Sequence, residues 1–194
     1  MAPLSSKLIF TVFVVLYVGA RSYWASKAEK RPAQESRIFT WDRVNIGLVG
    51  VFTNIVSLLA LYTSVLSHFD YPPQDALTFL SLPFLLGGLI LFWIAHRDLG
   101  ENWSVSLSIK KDHMLITNGI FNRIRHPMYT SIWLCAIGQA LCIPNYVGGL
   151  GGLVTWAILY FVRINKEEQM MIEKFGDQYR DYMKRTKRLI PGVC

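Results

Sequence analysis

The chain has 194 residues, of which 52% are hydrophobic and only 17% charged, with a formal net charge of +7. Soluble domains carry about 25% charged residues. Here the apolar residues are gathered into long uncharged runs, which points away from a soluble enzyme and toward a membrane protein. The positive balance does not require nucleic acid, because the basic residues flank the apolar runs, where they face an anionic leaflet.

In chain order, the first predicted span is Leu4–Ala20, with Lys7 able to reach outward to water. The sequence after it, Arg21-Ser22-Tyr23-Trp24, is a poor cleavage site, so the span is expected to be retained. A basic loop over 21–43 leads to a second span, Val44–Leu66, and a short loop with Tyr71-Pro72-Pro73 leads to a third, Ala76–Ala95. Pro83 inside the third span frees a backbone carbonyl and is a candidate kink. After a connector over 96–125, an uncharged run from Pro127 to Val162 is too long for one span and long enough for two short ones. Pro144-Asn145 and the glycines at 148, 149, 151 and 152 mark a turn, which predicts a hairpin of spans at Tyr129–Ile143 and Gly149–Val162.

The tail is amphipathic. Met171, Phe175, Tyr179 and Tyr182 recur at helical spacing among charged residues, and Gly176-Asp177 reads as a helix stop followed by a restart. Two helical segments are expected, Val162–Phe175 and Gln178–Thr186. The predicted fold is therefore all-α and integral to the membrane. It has five transmembrane helices and a cytoplasmic pocket closed by the helical tail. Residues 1–95 form a three-span anchoring region and 96–194 a catalytic region. Placing the N-terminus outside and the C-terminus in the cytoplasm puts every Lys and Arg except Lys7 on the inner side.

Cys135 and Cys142 lie seven positions apart on one predicted helix, too far for a disulfide. No Cys/His metal spacing is present, and no metal is expected. Cys194 is the last residue, so the tail is not a C-a-a-X prenylation box. The only notable polar side chains within the spans are Asn54 and Gln139, which suit helix-packing hydrogen bonds.

Candidate chemistry sits on the connector and the tail. Arg163 and Glu167 share a helix face at i, i+4. They are either an ordinary solvated ion pair at the end of a span or a site in which Arg163 grips an anion and Glu167 an ammonium. In Arg125-His126-Pro127-Met128-Tyr129, Pro127 suits the first position of a helix and His126 its cap. The stretch from His113 to Gly119 reads as a short extended piece and a turn. Neither a G-x-G-x-x-G loop nor a phosphate-binding P-loop is present, and the spans leave no room for a doubly wound sheet.

Taken as an ordered set, L-x-T-x-G-x(5)-R-H-P-x-Y, a hydrophobic hairpin, E-E-x(6)-F-G-x-x-Y-x-x-Y and a basic run ending near Pro191 resemble the isoprenylcysteine carboxyl methyltransferases. The resemblance covers the last 80 or so residues and implies an integral-membrane enzyme using S-adenosylmethionine, with S-adenosylhomocysteine as product. It implies methylation of the carboxylate of a C-terminal prenylated cysteine in a protein, peptide or small analogue. By motif, His113, Met114, Leu115 and Ile116 would contact the cofactor. His126, Pro127, Met128 and Tyr129 would wrap its methionine half, Glu167 would bind its amino group, and Arg163 would hold the substrate carboxylate. Phe121 stands where many members have Tyr, so a hydroxyl contact is lost there, and Ser131 replaces a common Gly. A membrane N-methyltransferase of a phospholipid amine and an NADPH-dependent sterol-type reductase are the alternative enzymes. A non-enzymatic scaffold or channel is the alternative outside catalysis.

Overall fold

The structure is a computed structural model describing residues 2–28, 35–36, 40–100, 108–109 and 114–193. It is built from helices α1 (Leu4–Ala28), α2 (Thr40–Gly50), α3 (Ser57–Tyr62), α4 (Asp75–Leu99), α5 (Pro127–Cys142), α6 (Tyr146–Phe175) and α7 (Asp177–Arg185). A π-helical segment, Val51–Val56, joins α2 to α3 without a break. Among the described residues, four stretches are long and apolar enough to cross a membrane: Leu4–Lys27, Val44–Tyr62, Asp75–Leu99 and Tyr146–Phe175. The second and third span expectations are met within a few residues at each end, and α1 runs eight residues beyond Ala20. α4 continues through Pro83 as one helix.

The fourth expected span is α5, and it is short. At about 1.5 Å rise per residue, its 16 residues reach less than the ~30 Å of a hydrocarbon core. It compensates by position. Eight of its residues are buried, Tyr129, Ser131, Cys135 and Gln139 among them, so α5 is a central helix shielded by its neighbours. Cys135 and Cys142 are both buried, free thiols.

Contacts fix the relative directions. α1 and α4 run parallel, with Ser6 hydrogen-bonded to Thr78 at 3.1 Å, and Tyr17 against Phe92 and Trp24 against His96 further along. α4 and α5 run antiparallel and touch closely. A Cβ on Gly88 would lie 2.5 Å from Cys135 Sγ, and one on Gly138 2.7 Å from the Leu85 side chain. Small residues are what let membrane helices approach so nearly. The α2–α3 rod runs antiparallel to α6, joined by Ser57 Oγ donating to the Gly148 carbonyl at 2.9 Å. Gln139 of α5 locks this junction by donating to Ser57 Oγ at 2.8 Å and to the Gly148 carbonyl at 2.9 Å. Asn54 does not bridge helices; its amide turns back to Gly50 of its own rod at 2.9 Å.

The hairpin turn is tighter than the glycines suggest. Ile143, preceding Pro144, is extended as such residues are, and stops α5. The Asn145 side chain then caps α6, accepting from the backbone N–H of Val147 at 3.1 Å and Gly148 at 2.8 Å. The glycines at 148, 149, 151 and 152 therefore lie inside α6, where they admit neighbours; a Cβ on Gly152 would meet the Gln139 amide at 2.6 Å. The first tail segment is not separate either. It is the continuation of α6, one helix of 30 residues to Phe175. Gly176, at φ +56°, ends that helix, and α7 begins at Asp177 as expected.

Where the chain leaves α1 and α4, a short antiparallel pair, β1 (Glu35–Ser36) with β2 (Ser108–Ile109), joins the first and third loops. Those two loops therefore meet at one end of the bundle, the end at which α6 passes into α7.

Candidate active site

The connector enters the site through a turn that only glycine can make. Gly119 has φ +57°, and a Cβ there would lie 2.3 Å from Asp98 Oδ2. That closeness lets Asp98, at the end of α4, accept from the Ile120 N–H at 2.9 Å while pairing with Arg97 at 2.8 Å. A single 3-10 turn, Gly119–Asn122, follows, and α5 then opens with Pro127 at its first position and His126 as its cap. This is the placement read from the sequence.

The tail closes over this turn by backbone pairing. Arg125 N–H donates to the Lys187 carbonyl at 2.8 Å and His126 N–H to the Arg188 carbonyl at 3.0 Å. Thr130 Oγ1 donates to the Leu189 carbonyl at 2.9 Å and the Tyr182 hydroxyl to the Phe121 carbonyl at 2.5 Å. Tyr179 and Tyr182 are the buried members of the tail's apolar stripe. Burial pushes the Tyr182 phenol up to about 12. It also raises that of Tyr179, helped by the negative charges of Glu168 and Glu167.

Two adjacent carboxylates on α6 then play different parts. Glu168 is sealed in, with a side chain only 4% exposed. It accepts from Arg125 Nη2 at 3.1 Å, from Arg188 Nη2 at 2.6 Å and Nε at 3.1 Å, and lies 3.2 Å from His126 Nε2. This contact raises the Arg188 guanidinium above its ordinary value. Arg125 also donates to the carbonyls of Met183 and Thr186. Glu168 thus joins the connector, α6 and the chain end, a role the sequence reading did not give it. No spacing rule relates residues 125, 168 and 188.

Glu167 points along the other face and is 26% exposed. It accepts a hydrogen bond from the Tyr129 hydroxyl. It lies 3.9 Å from His126 Nδ1 and 3.9 Å from Arg163 Nε. The His126 ring stacks on Tyr129 at 5.4 Å and 15°. Arg163 is largely buried, and its Nε has no hydrogen-bond partner among the described residues. A guanidinium with a donor to spare beside a reachable carboxylate can hold an anion and a cation side by side.

The structure therefore brings His126, Tyr129, Arg163 and Glu167 together. Pro127 is buried in the same turn, and Met128 faces away to pack on Trp24 and Phe92. Phe121 is buried and joins the tail through its carbonyl. Met114 is exposed, with Leu115 and Ile116 half-buried, on the segment leading to the Gly119 turn. His113 lies outside the described residues. Among the described residues there is no group of His, Cys, Asp and Glu that could hold a metal ion.

The motif order and this geometry can be compared with known proteins. A model of the isoprenylcysteine carboxyl methyltransferase (ICMT) family matches residues 79–173, from α4 through the Arg163–Glu168 segment. Over these residues the chain is similar to this family. It is 35% identical over 116 residues to a protein-S-isoprenylcysteine O-methyltransferase of Schizosaccharomyces pombe, covering 58% of this chain and 49% of that one. With the protein of that name from Dictyostelium discoideum the figures are 32% over 109 residues, 55% and 46%. The chain spans about half the length of these relatives. A solved structure of a eukaryotic intramembrane Ras methyltransferase ICMT superposes with a TM-score of 0.62 at 23% identity. It covers 100% of this chain and 69% of that one, and so shares the fold. The matched region covers most of α4, all of α5 and nearly all of α6, the helices that bring the candidate site residues together.

Proposed function

We propose that the protein transfers a methyl group from S-adenosylmethionine to the C-terminal carboxylate of an S-isoprenylated cysteine. The observation that carries this reading is the Arg163–Glu167 pair at the end of the apolar α5–α6 face, inside the ICMT family region. The residues present fit both substrates. Glu167 is a partly exposed carboxylate that suits an ammonium, and Arg163 has the planar fork that suits a carboxylate.

S-adenosylmethionine supplies a methyl group already activated on a sulfonium. The work of the chain is binding, alignment and exclusion of water. The acceptor carboxylate is ionised at neutral pH and needs no general base. Methyl transfer from the sulfonium to one of its oxygens would leave a neutral ester and a neutral thioether. Arg163 orients the carboxylate, and orientation of this kind accounts for several kcal/mol in intramolecular analogues. Glu167, positioned by Tyr129 and flanked by His126, takes the amino group of the donor. The prenyl chain enters from the bilayer and the water-soluble donor from the end closed by the tail.

The membrane arrangement belongs to the same proposal: five spans, with α5 as the short fourth, the N-terminus outside and the tail cytoplasmic. Single cysteines at Gln74 and Asp181, in a background lacking the native ones, label from opposite sides if this is right. Labelling from one side sinks the topology. For the chemistry, the purified protein is titrated calorimetrically with S-adenosylmethionine and with NADPH. Label transfer is then followed to farnesylated cysteine and to an ethanolamine lipid. Binding of the sulfonium alone, with label on the farnesyl carboxylate, is expected. NADPH binding without a response to the sulfonium would support the reductase, and label on the amine lipid the N-methyltransferase.

A further inference from the structure

At the tail end of the bundle, α1 and α4 bring aromatic and basic side chains together on a face that the candidate site does not use. It is the side toward which Met128 turns. Tyr23 of α1 stacks on Trp93 of α4 at 5.5 Å and 16°, and both rings are nearly half exposed. Trp24, buried behind them, meets Trp93 edge to face at 5.4 Å. The Lys27 ammonium lies 4.7 Å from the centre of the Tyr23 ring and 5.2 Å from that of Trp24. Among the described residues it has rings for partners and no carboxylate.

Helical spacing extends the group in both directions. On α1, residues 16, 19, 23 and 27 share a face, and on α4, residues 86, 90, 93 and 97 do so. The two parallel helices keep a constant register, since Ser6 meets Thr78 and Trp24 meets His96. Lys27 and Arg97 therefore stand at nearly one height, in the last turns of their helices and one turn beyond the stacked rings. Arg97 is exposed. Asp98 holds its fork, through Nε at 2.9 Å and Nη2 at 2.8 Å, and so orients the guanidinium while offsetting part of its charge. On the other side of the rings the surface is apolar and open. Leu16, Leu86 and Ile90 are exposed, and a Cβ on Gly19, level with Ile90, would meet nothing within 4 Å.

We propose that this cleft between α1 and α4 binds an anionic glycerophospholipid. The headgroup phosphate sits between Lys27 and Arg97. The stacked Tyr23 and Trp93 lie at the level of the glycerol, and an acyl chain fills the notch over Gly19, against Leu16 and Ile90. Aromatic side chains belong at the headgroup level of a bilayer, and basic pockets between membrane helices take anionic headgroups. Lys27 and Arg97 less Asp98 leave one positive charge, which matches a phosphodiester with a single negative charge. An acidic peptide would meet the cations but not the notch, which lies within the apolar stretches Leu4–Lys27 and Asp75–Leu99. The site rests on α1 and α4 crossing the membrane and is independent of the methyl-transfer reading.

The test is native mass spectrometry of the purified protein in neutral detergent, titrated with phosphatidylglycerol or with phosphatidylcholine of the same chains. Wild type is compared with Lys27→Gln, Gly19→Leu and Lys174→Gln, the last an exposed basic residue at the end of α6. Wild type is expected to retain phosphatidylglycerol in preference to phosphatidylcholine. Lys27→Gln lowers that preference about fivefold, the worth of one basic residue near an anionic surface, and Lys174→Gln leaves it unchanged. Gly19→Leu fills the notch without altering charge and lowers retention of both lipids. Thermal midpoints in lipid-free detergent stay at the wild-type value and show that the variants are folded; if Gly19→Leu does not fold, Lys27→Gln against Lys174→Gln decides. No preference in wild type, an unchanged preference in Lys27→Gln, or an equal loss in Lys174→Gln overturns the site. Glycerol phosphate raising the thermal midpoint as much as the whole lipid does would also overturn it, because the chain would then contribute nothing.

Discussion

Glu167 and Glu168 are neighbours in the chain, yet they meet opposite surroundings. Glu168 is sealed among Arg125, Arg188 and His126, with both its oxygens engaged. Glu167 is reachable, with one hydroxyl donor, and with His126 Nδ1 and Arg163 Nε each held off at 3.9 Å. A step of about 100° around the helix separates a fully satisfied network from an under-satisfied one. A satisfied buried network fixes structure, because any partner removed leaves a charge without compensation. An under-satisfied pair keeps bonding capacity for a ligand.

The largest way to break this comparison is at Glu168. Removing one partner of a buried ion pair costs about 3–5 kcal/mol, so Glu168→Ala is expected to lose most of its folded stability in detergent. Thermal unfolding followed by circular dichroism measures it. A stable Glu168→Ala would mean that the tail is held by its backbone pairing alone. Next comes Arg163→Ala, expected to raise the barrier to methylation of farnesylated cysteine by about 1.5–3 kcal/mol, the worth of a hydrogen bond to a charged group. Arg163→Lys falls between it and wild type, because lysine keeps the charge but loses the fork. Affinity for S-adenosylmethionine is expected to stay nearly level in both. Undiminished carboxyl methylation in Arg163→Ala would remove the residue from the site.

Glu167→Gln sharpens the comparison from the other side. Its thermal midpoint is expected to stay close to wild type while affinity for S-adenosylmethionine falls about tenfold or more, again the scale of a charge-assisted contact. If calorimetry finds equal small losses in the Gln variants of both glutamates, Glu167 is an ordinary charge at the end of a span and holds no part of the donor. The smallest effect is Tyr182→Phe, which deletes the bond to the Phe121 carbonyl. It is expected to cost about 1 kcal/mol of stability, with turnover unchanged once the protein is folded.

Much of this molecule was legible in its sequence, because the decisive signals were local. Uncharged runs of membrane length placed the long helices. Pro127 with His126, and Gly176 with Asp177, marked the ends where α5 begins and α6 stops. The pairing of Arg163 with Glu167 followed from helical spacing alone. The ordered motif named the family that the comparison with known proteins then matched. Local pattern misled where one residue type has two uses. The glycines at 148 to 152 read as a turn but serve as a close-packing surface inside α6, since a missing side chain both loosens a backbone and admits a neighbour.

Only the tertiary structure decided how distant charges are shared out. The grip of Arg125 and Arg188 on Glu168 spans 43 and 20 residues of sequence. The register of the chain end against the connector is set by backbone hydrogen bonds that carry no side-chain signature. Gly119 could be read as a turn, but its reason is the carboxylate of Asp98 pressed against it from α4. Charge pairing and close approach depend on which segments are brought side by side. That information belongs to the packing of the helices and to no single stretch of the chain.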